Sequence, residues 1–290
     1  MSLPPAPRHP RRLVFLGTPA TSIVPLRALV DAGHEVALVV SQPDRRRGRG
    51  GALSPSPVKA AALDLGLPVT DAVDDALTVG ADLGVVVAFG RLIKPHVLAE
   101  LPMINLHFSL LPRWRGAAPV ERAILAGDDR TGVDLMVVEE GLDTGGVYAR
   151  TEVPIGPDDT AEQLRARLAE LGAELLVTNL AHGLGEPVPQ RGEVTYAHKI
   201  EPDDLAIDWA APAAVIHRVV RVGGAWTTHD GSRLKVWRTA LTPPAHDGVE
   251  VPTGDGGIWL VDVQPEGRRR MPARAWANGV TGDVATGLGR

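Results

Sequence analysis

Residues 13–40 read as strand, helix, strand. An apolar run at 13–16 is followed by an amphipathic segment at 22–32, halted by Gly33, and then by a second apolar run at 36–40. Two strands joined through a helix lie parallel, and the handedness of that crossover restricts the chain to a small set of α/β architectures. Residues 83–88, Leu-Gly-Val-Val-Val-Ala, are apolar throughout, as a central strand covered on both faces must be. The first turn, Gly17-Thr18-Pro19-Ala20, lacks the G-x-G-x-x-G spacing that lets a backbone approach a pyrophosphate, and no G-x-x-x-x-G-K-[ST] loop follows it. The expected fold is therefore Rossmann-like, doubly wound and mostly parallel, without a bound dinucleotide.

The pattern changes near residue 204. One helix, at 213–222, precedes short apolar runs at 234–237, 249–251 and 258–263, punctuated by Gly, Pro and Asp. This is the signature of a small β-barrel. A Pro/Gly-rich stretch, 183–192, lies between the two patterns. The expected organisation is an N-terminal domain over 1–182, a linker over 183–203 and a C-terminal barrel over 204–290. At 290 residues and 44% hydrophobic, with mean hydropathy +0.02, the chain can bury two cores. With no cysteine, it has neither disulfide nor thiolate chemistry. Residues 1–12 are Pro- and Arg-rich without an apolar segment, and no run approaches membrane-spanning length, so a cytoplasmic protein is expected.

Chemistry concentrates at residues 103–120. Asn105 and His107 alternate along the apolar run 103–108, which places both side chains on one side of a strand. A second apolar run, 133–138, leads into an acidic, glycine-rich turn containing Asp143. With the two strands adjacent and their carboxyl ends together, an amide, an imidazole and a carboxylate meet in one crevice. That trio suits a carbonyl that becomes an oxyanion under attack, and so acyl transfer. Taken singly, each residue has a plainer reading: a satisfied strand histidine, a capping asparagine, a turn aspartate. No metal-ligand spacing is present.

The ordered string Asn105-Leu106-His107, then Ser109-Leu110-Leu111-Pro112 with Arg115-Gly116-Ala117 and Pro119, then Glu140-Gly141-Leu142-Asp143-Thr144-Gly145, resembles the folate-dependent formyltransferases. The likeness extends over nearly the whole chain, including Gln42-Pro43-Asp44, Val87-Ala88-Phe89-Gly90, Tyr196-Ala197 and Gln264-Pro265. It implies transfer of the formyl group of 10-formyltetrahydrofolate to the α-amino group of methionine on initiator tRNA. Asn105, His107 and Asp143 would be catalytic. Phe89, Gly90, Arg91, Leu92 and Ile93, with Ser109, Leu110, Leu111 and Pro112, would contact the folate. No metal, membrane or obligate protein partner is implied, and the barrel is expected to be OB-like.

The run Asp44-Arg45-Arg46-Arg47-Gly48-Arg49 reads from its residues as a mobile basic loop, either solvated or reaching phosphates. The resemblance implies that Arg45, Arg46, Arg47 and Arg49 bind tRNA. In the barrel, Arg218, Arg221, Arg233, Lys235, Arg238 and residues 268–270 are candidates for a basic surface; the net charge of −5 does not oppose this, because binding follows where charge is placed. Arg115 reads as a contact to a glutamate tail, a phosphate or a surface acid. Two departures from the family pattern stand out: Gly51-Ala52 where lysines are usual, and a short turn, 222–226. The rival readings are a formyltransferase acting on a small amine, such as a nucleotide-sugar or purine precursor, and a non-catalytic RNA-binding module.

Overall fold

The computed structural model describes residues 3–47, 51–246 and 248–289. They form two compact units. One gathers the chain up to Pro119 with Thr131–Val153 and Arg165–Ala197; the other gathers Val120–Arg130, Pro154–Leu164 and the chain from His198 onward.

In chain order the strands of the first unit are β1 (Arg12–Gly17), β2 (Glu35–Val40), β3 (Arg45–Arg47), β4 (Ala52–Ser54), β5 (Val69–Thr70), β6 (Leu83–Val87), β7 (Met103–His107), β8 (Arg115–Gly116), β9 (Arg130–Val137), β10 (Val147–Pro154) and β11 (Tyr196–Ala197). The main sheet has the order β10-β9-β7-β6-β1-β2-β5. From β5 to β7 it is parallel, as expected for a doubly wound sheet. The order reverses beside β1, which pairs with both β2 and β6, and ligands of such sheets bind outside the carboxyl ends at that point.

Alternation along β1 buries Val14 and Leu16 on one face, against Val97 and Leu98 of a helix at Pro95–Glu100. Leu13 and Phe15, on the other face, are equally inaccessible. The first helix, α1 (Ile23–Asp31), starts later than the sequence pattern suggests, because residues 20–22 form a tighter turn and the Ser22 hydroxyl donates to the Val87 carbonyl at 2.8 Å. The second, α2 (Pro57–Asp64), is capped by the Ser56 hydroxyl, with Pro57 in its first turn. Thr160 and Gln163 form the reciprocal capping box that their spacing predicts for the helix Ala161–His182.

Two expectations are corrected. First, β7 and β9 are neighbours but antiparallel, so their carboxyl ends do not lie together: His107 pairs with Asp134 and Ile104 with Val137. Second, the basic run is not a structureless loop. Arg45–Arg47 pair with Ala52–Ser54 as an antiparallel ribbon, held by backbone bonds that three consecutive arginines do not advertise as apolar alternation. Arg49 lies outside the described residues.

The second unit is built on β12 (Trp226–His229), β13 (Ser232–Ala240), β14 (Val249–Thr253), β15 (Gly256–Pro265), β16 (Met271–Pro272) and β17 (Leu288–Gly289). They form one antiparallel sheet in the order β14-β15-β13-β12-β17, with β16 on β15. Register shifts between β13 and β15 curl it into a barrel-like layer. Ile216 and Val220 of a helix at Ala213–Val222 pack onto its inner face with Leu234, Val236, Leu260 and Val263. β12 is hidden from the sequence pattern by its polar Thr-Thr-His.

On that helix Arg221 donates to the carbonyls of Gly156 and Asp159, so it belongs to the frame of this unit and not to an open basic surface. His217 is 5% exposed and bonds Thr239 at 2.8 Å and Asp158 at 3.1 Å. Burial, helped by the charge of Arg221 and opposed by Asp158, pushes its pKa below the ordinary 6.5. The unfolded chain thus binds this proton more tightly than the folded one. The stability His217 confers is complete above pH 6.5 and is lost as the pH falls below it toward the depressed folded value. The Tm of the wild type is expected to drop more steeply between pH 7.5 and 5 than that of His217→Gln, as measured by thermal scans; parallel curves would remove His217 as the cause.

Candidate active site

β7 presents the chemistry because its apolar residues bury both faces while its alternating polar ones share one side. His107 is 5% exposed, and Asn105, two residues earlier, is half-buried. The Asn105 amide makes no hydrogen bond with any described residue. His107 Nε2 lies 2.9 Å from the Trp114 carbonyl. A carbonyl only accepts, so the proton of this contact sits on Nε2. Nδ1 then faces Asp143 Oδ2 at 3.6 Å.

Asp143 reaches His107 although it follows the far end of β9, because the acidic turn folds back across the strand. Asp143 itself adopts φ +50°, a left-handed conformation that non-glycine residues take only under constraint. Gly145 allows the fold-back: a Cβ there would stand 2.1 Å from the Val137 carbonyl oxygen. The Asp143 carboxylate is fixed by the Gly116 amide, which donates to Oδ2 at 2.7 Å. Trp114 and Ala88, at φ +64° and +45°, are also left-handed.

The carboxyl ends of β1, β2 and β6 meet at Phe89. Its carbonyl accepts from the Thr18 hydroxyl at 2.9 Å and the Gln42 amide at 3.2 Å. Phe89 is buried, Gly90, Arg91 and Leu92 are exposed, and Ile93 is intermediate. The backbone N–H and C=O groups of Gly90, Arg91 and Leu92 make no hydrogen bond among the described residues, which leaves them for a ligand's heteroatoms. Ser109 is buried and its hydroxyl donates to the Arg113 carbonyl at 2.6 Å; Leu111 and Pro112 are buried and Leu110 half-buried. At the ribbon, Arg45 donates to Gln42 Oε1 at 3.3 Å, and alternation sends Arg45 and Arg46 to opposite faces. Among the described residues, no group of three His, Asp or Glu side chains is placed to hold a metal ion.

The formyl transferase family model matches residues 11–180, and the model of its C-terminal domain matches residues 199–281. The methionyl-tRNA formyltransferase of Symbiobacterium thermophilum is 44% identical over 95% of this chain and 94% of its own length. This chain belongs to the formyl transferase family, in its methionyl-tRNA formyltransferase branch. Among solved structures, the methionyl-tRNA formyltransferase of Clostridium thermocellum superimposes with TM-score 0.60 at 15% identity, over 88% of this chain and 97% of that one. An N-formyltransferase of Helicobacter canadensis, in complex with folinic acid and dTDP-3-aminofucose, does so with TM-score 0.67 at 18% identity, over 87% and 98%. At those identities the two superpositions speak for the fold.

Three side chains of this formyltransferase's site escape a reading of its sequence. Gln190, in the Pro/Gly-rich stretch, donates to the carbonyls of Asp143 and Gly145 at 2.8 Å each and accepts from Arg115 at 2.6 and 3.1 Å. It ties down the Asp143 turn, and it engages Arg115, whose partner is thus an amide and not a surface acid. Asp134 and Arg150 form an ion pair at 2.6 Å. Burial pushes the Asp134 carboxyl up, against the opposing pull of Arg150 and the Leu111 amide, and the Arg150 guanidinium is pushed up in turn by Asp134. A lone acid inside an apolar strand was the available signal for Asp134. Nothing local marks Gln190.

Proposed function

We propose that this enzyme moves the formyl group of 10-formyltetrahydrofolate onto the α-amine of methionyl-initiator tRNA through Asn105, His107 and Asp143. The observation that carries this reading is His107 held between the Trp114 carbonyl and the Asp143 carboxylate, beside an unengaged Asn105 amide. The neutral amine attacks the formyl carbon, forming the new C–N bond, and the carbonyl oxygen becomes an oxyanion. Asn105 supplies a free N–H to it. His107, its Nε2–H anchored on Trp114, supplies positive charge when doubly protonated. Asp143 orients the ring and, directly or through water, accepts the proton that the amine loses. Collapse breaks the bond to folate N10, which takes up a proton, giving formylmethionyl-tRNA and tetrahydrofolate.

Phe89 to Ile93 and Ser109 to Pro112 are proposed to line the folate site. The free backbone groups of Gly90, Arg91 and Leu92 support this. The Ser109 hydroxyl and the Phe89 carbonyl are already engaged, so those residues contact the ligand through other atoms. Arg45, Arg46, Arg47 and Arg49 are assigned to tRNA. Residues 1–182 are taken as the catalytic domain, 183–203 as linker and 204–290 as the tRNA-binding barrel. Among the described residues no helix is long and apolar enough to cross a membrane, and we place the enzyme in the cytoplasm, where initiator tRNA is charged.

The high identity to methionyl-tRNA formyltransferases across both domains favours tRNA over a small amine as acceptor. Formylation assays with charged initiator tRNA, an amino-sugar nucleotide and a purine precursor amine test this. Turnover with the tRNA alone is expected; faster turnover of either small amine would overturn the assignment, and no turnover with any acceptor would leave only an RNA-binding role.

A further inference from the structure

Beside His107 the sheet carries a second carboxylate that the proposed chemistry does not use. Asp134 stands directly opposite His107 in the β7–β9 pairing and is 0% exposed. Its two oxygens take three donors: Arg150 Nε at 2.7 Å, Arg150 Nη2 at 2.6 Å and the Leu111 amide at 2.9 Å. The same Nη2 donates to the Leu111 carbonyl at 2.7 Å. Both polar groups of the Leu111 backbone are therefore held by one carboxylate–guanidinium fork. Leu110 packs over Gly132, where a Cβ would fall 2.4 Å from Leu110 Cδ2 and 2.2 Å from the Thr151 carbonyl oxygen. The Leu110 side chain thus rests directly on the strand backbone at Gly132.

Asp134 is wholly buried while the Arg150 side chain stays 38% exposed, and taking a carboxylate out of water makes such a pair a poor way to gain stability. What the fork supplies, and an apolar contact cannot, is direction: planar guanidinium and carboxylate fix donors and acceptors in angle as well as distance. We propose that Asp134 and Arg150 are positioning residues that set the backbone of Leu111, and with it the Ser109-to-Pro112 loop, at the distance from His107 that the formyl donor requires. The pair touches neither reacting group. It acts on donor affinity through the loop, and the inference rests on the assignment of that loop to folate given above.

The test uses the full-length enzyme. Asp134→Leu/Arg150→Met removes the fork and leaves no charge unpaired, while freeing the Leu111 N–H and carbonyl that the fork holds; Arg150→Lys keeps the charge and loses the fork. Tm, the Kd for tetrahydrofolate, and KM and kcat for donor and acceptor are measured for each. The double variant is expected to lose several degrees of Tm, from the two Leu111 groups it strands, but to fold, while donor KM and tetrahydrofolate Kd rise about 10-fold, with kcat and acceptor KM changed less than about 3-fold. Arg150→Lys is expected to fall between it and the wild type. Wild-type donor KM and Kd in the double variant would reduce the pair to a structural contact and overturn the proposal. If the double variant does not fold, unchanged donor affinity in a fully stable Arg150→Lys does the same. Tetrahydrofolate binding needs no turnover, so this result is separable from any failure of Asn105, His107 or Asp143 as catalysts, which rates alone report.

Discussion

His107→Ala and Asp143→Asn are each expected to lower kcat by about 100-fold or more, equivalent to about 2.7 kcal/mol of barrier, with tetrahydrofolate binding and Tm close to wild type. The size follows from what each change removes. Without the imidazole, the ring that the proposed step sets beside the developing oxyanion is gone. Asp143→Asn keeps an oxygen for the Gly116 amide, and so the turn, but removes the charge facing His107 Nδ1 and the proton acceptor. Asp143→Ala would confound the two, because it also strands the Gly116 N–H. Single-turnover rates with saturating donor and charged tRNA are the measurement. A rate within threefold of wild type in either variant would strip that residue of its role while leaving the fold and the folate loops untouched.

The second large effect is expected at the ribbon. Replacing Arg45, Arg46, Arg47 and Arg49 together with Gln should raise KM for methionyl-tRNA roughly 10- to 100-fold at low salt. It should also flatten the plot of log KM against log salt by about 3, since each lost phosphate contact removes a bit under one counterion. Donor affinity should not move: among the described residues, the ribbon arginines meet the folate end through the Arg45–Gln42 bond, and the Gln42 amide still reaches the Phe89 carbonyl without it. A ribbon that pairs as β3 and β4 presents Arg45 and Arg46 on opposite faces, a form suited to entry between two phosphate backbones. Unchanged tRNA kinetics would return the arginines to solvent. Loss of donor affinity would instead show that the change had spread to the sheet edge.

Much of this is legible in the sequence. The strand–helix–strand start, the apolar β6, the caps at Ser56 and Thr160 and the helix at 213–222 follow from periodicity and local hydrogen bonding, which act over a few residues. The pairing of Asn105 with His107 is equally local, because alternation on a strand leaves no choice of side. The approach of Asp143 was anticipated by a route the molecule does not take. Parallel strands were expected to bring it up at their shared carboxyl end, whereas β9 runs antiparallel and the turn doubles back over Gly145.

Period and spacing settled the fold class and the shared face of Asn105 and His107, because each is written in residues close together along the chain; the family was carried by the likeness of its ordered motifs. Whether a carboxylate 36 positions away meets an imidazole, which carbonyl holds Nε2, and why an aspartate sits buried in an apolar strand are decided by packing. Asp134 and Arg150 acquire their partners only when β9, β10 and the loop after β7 pack together, and Gln190 only when its segment folds onto the Asp143 turn; no propensity of a single residue encodes that.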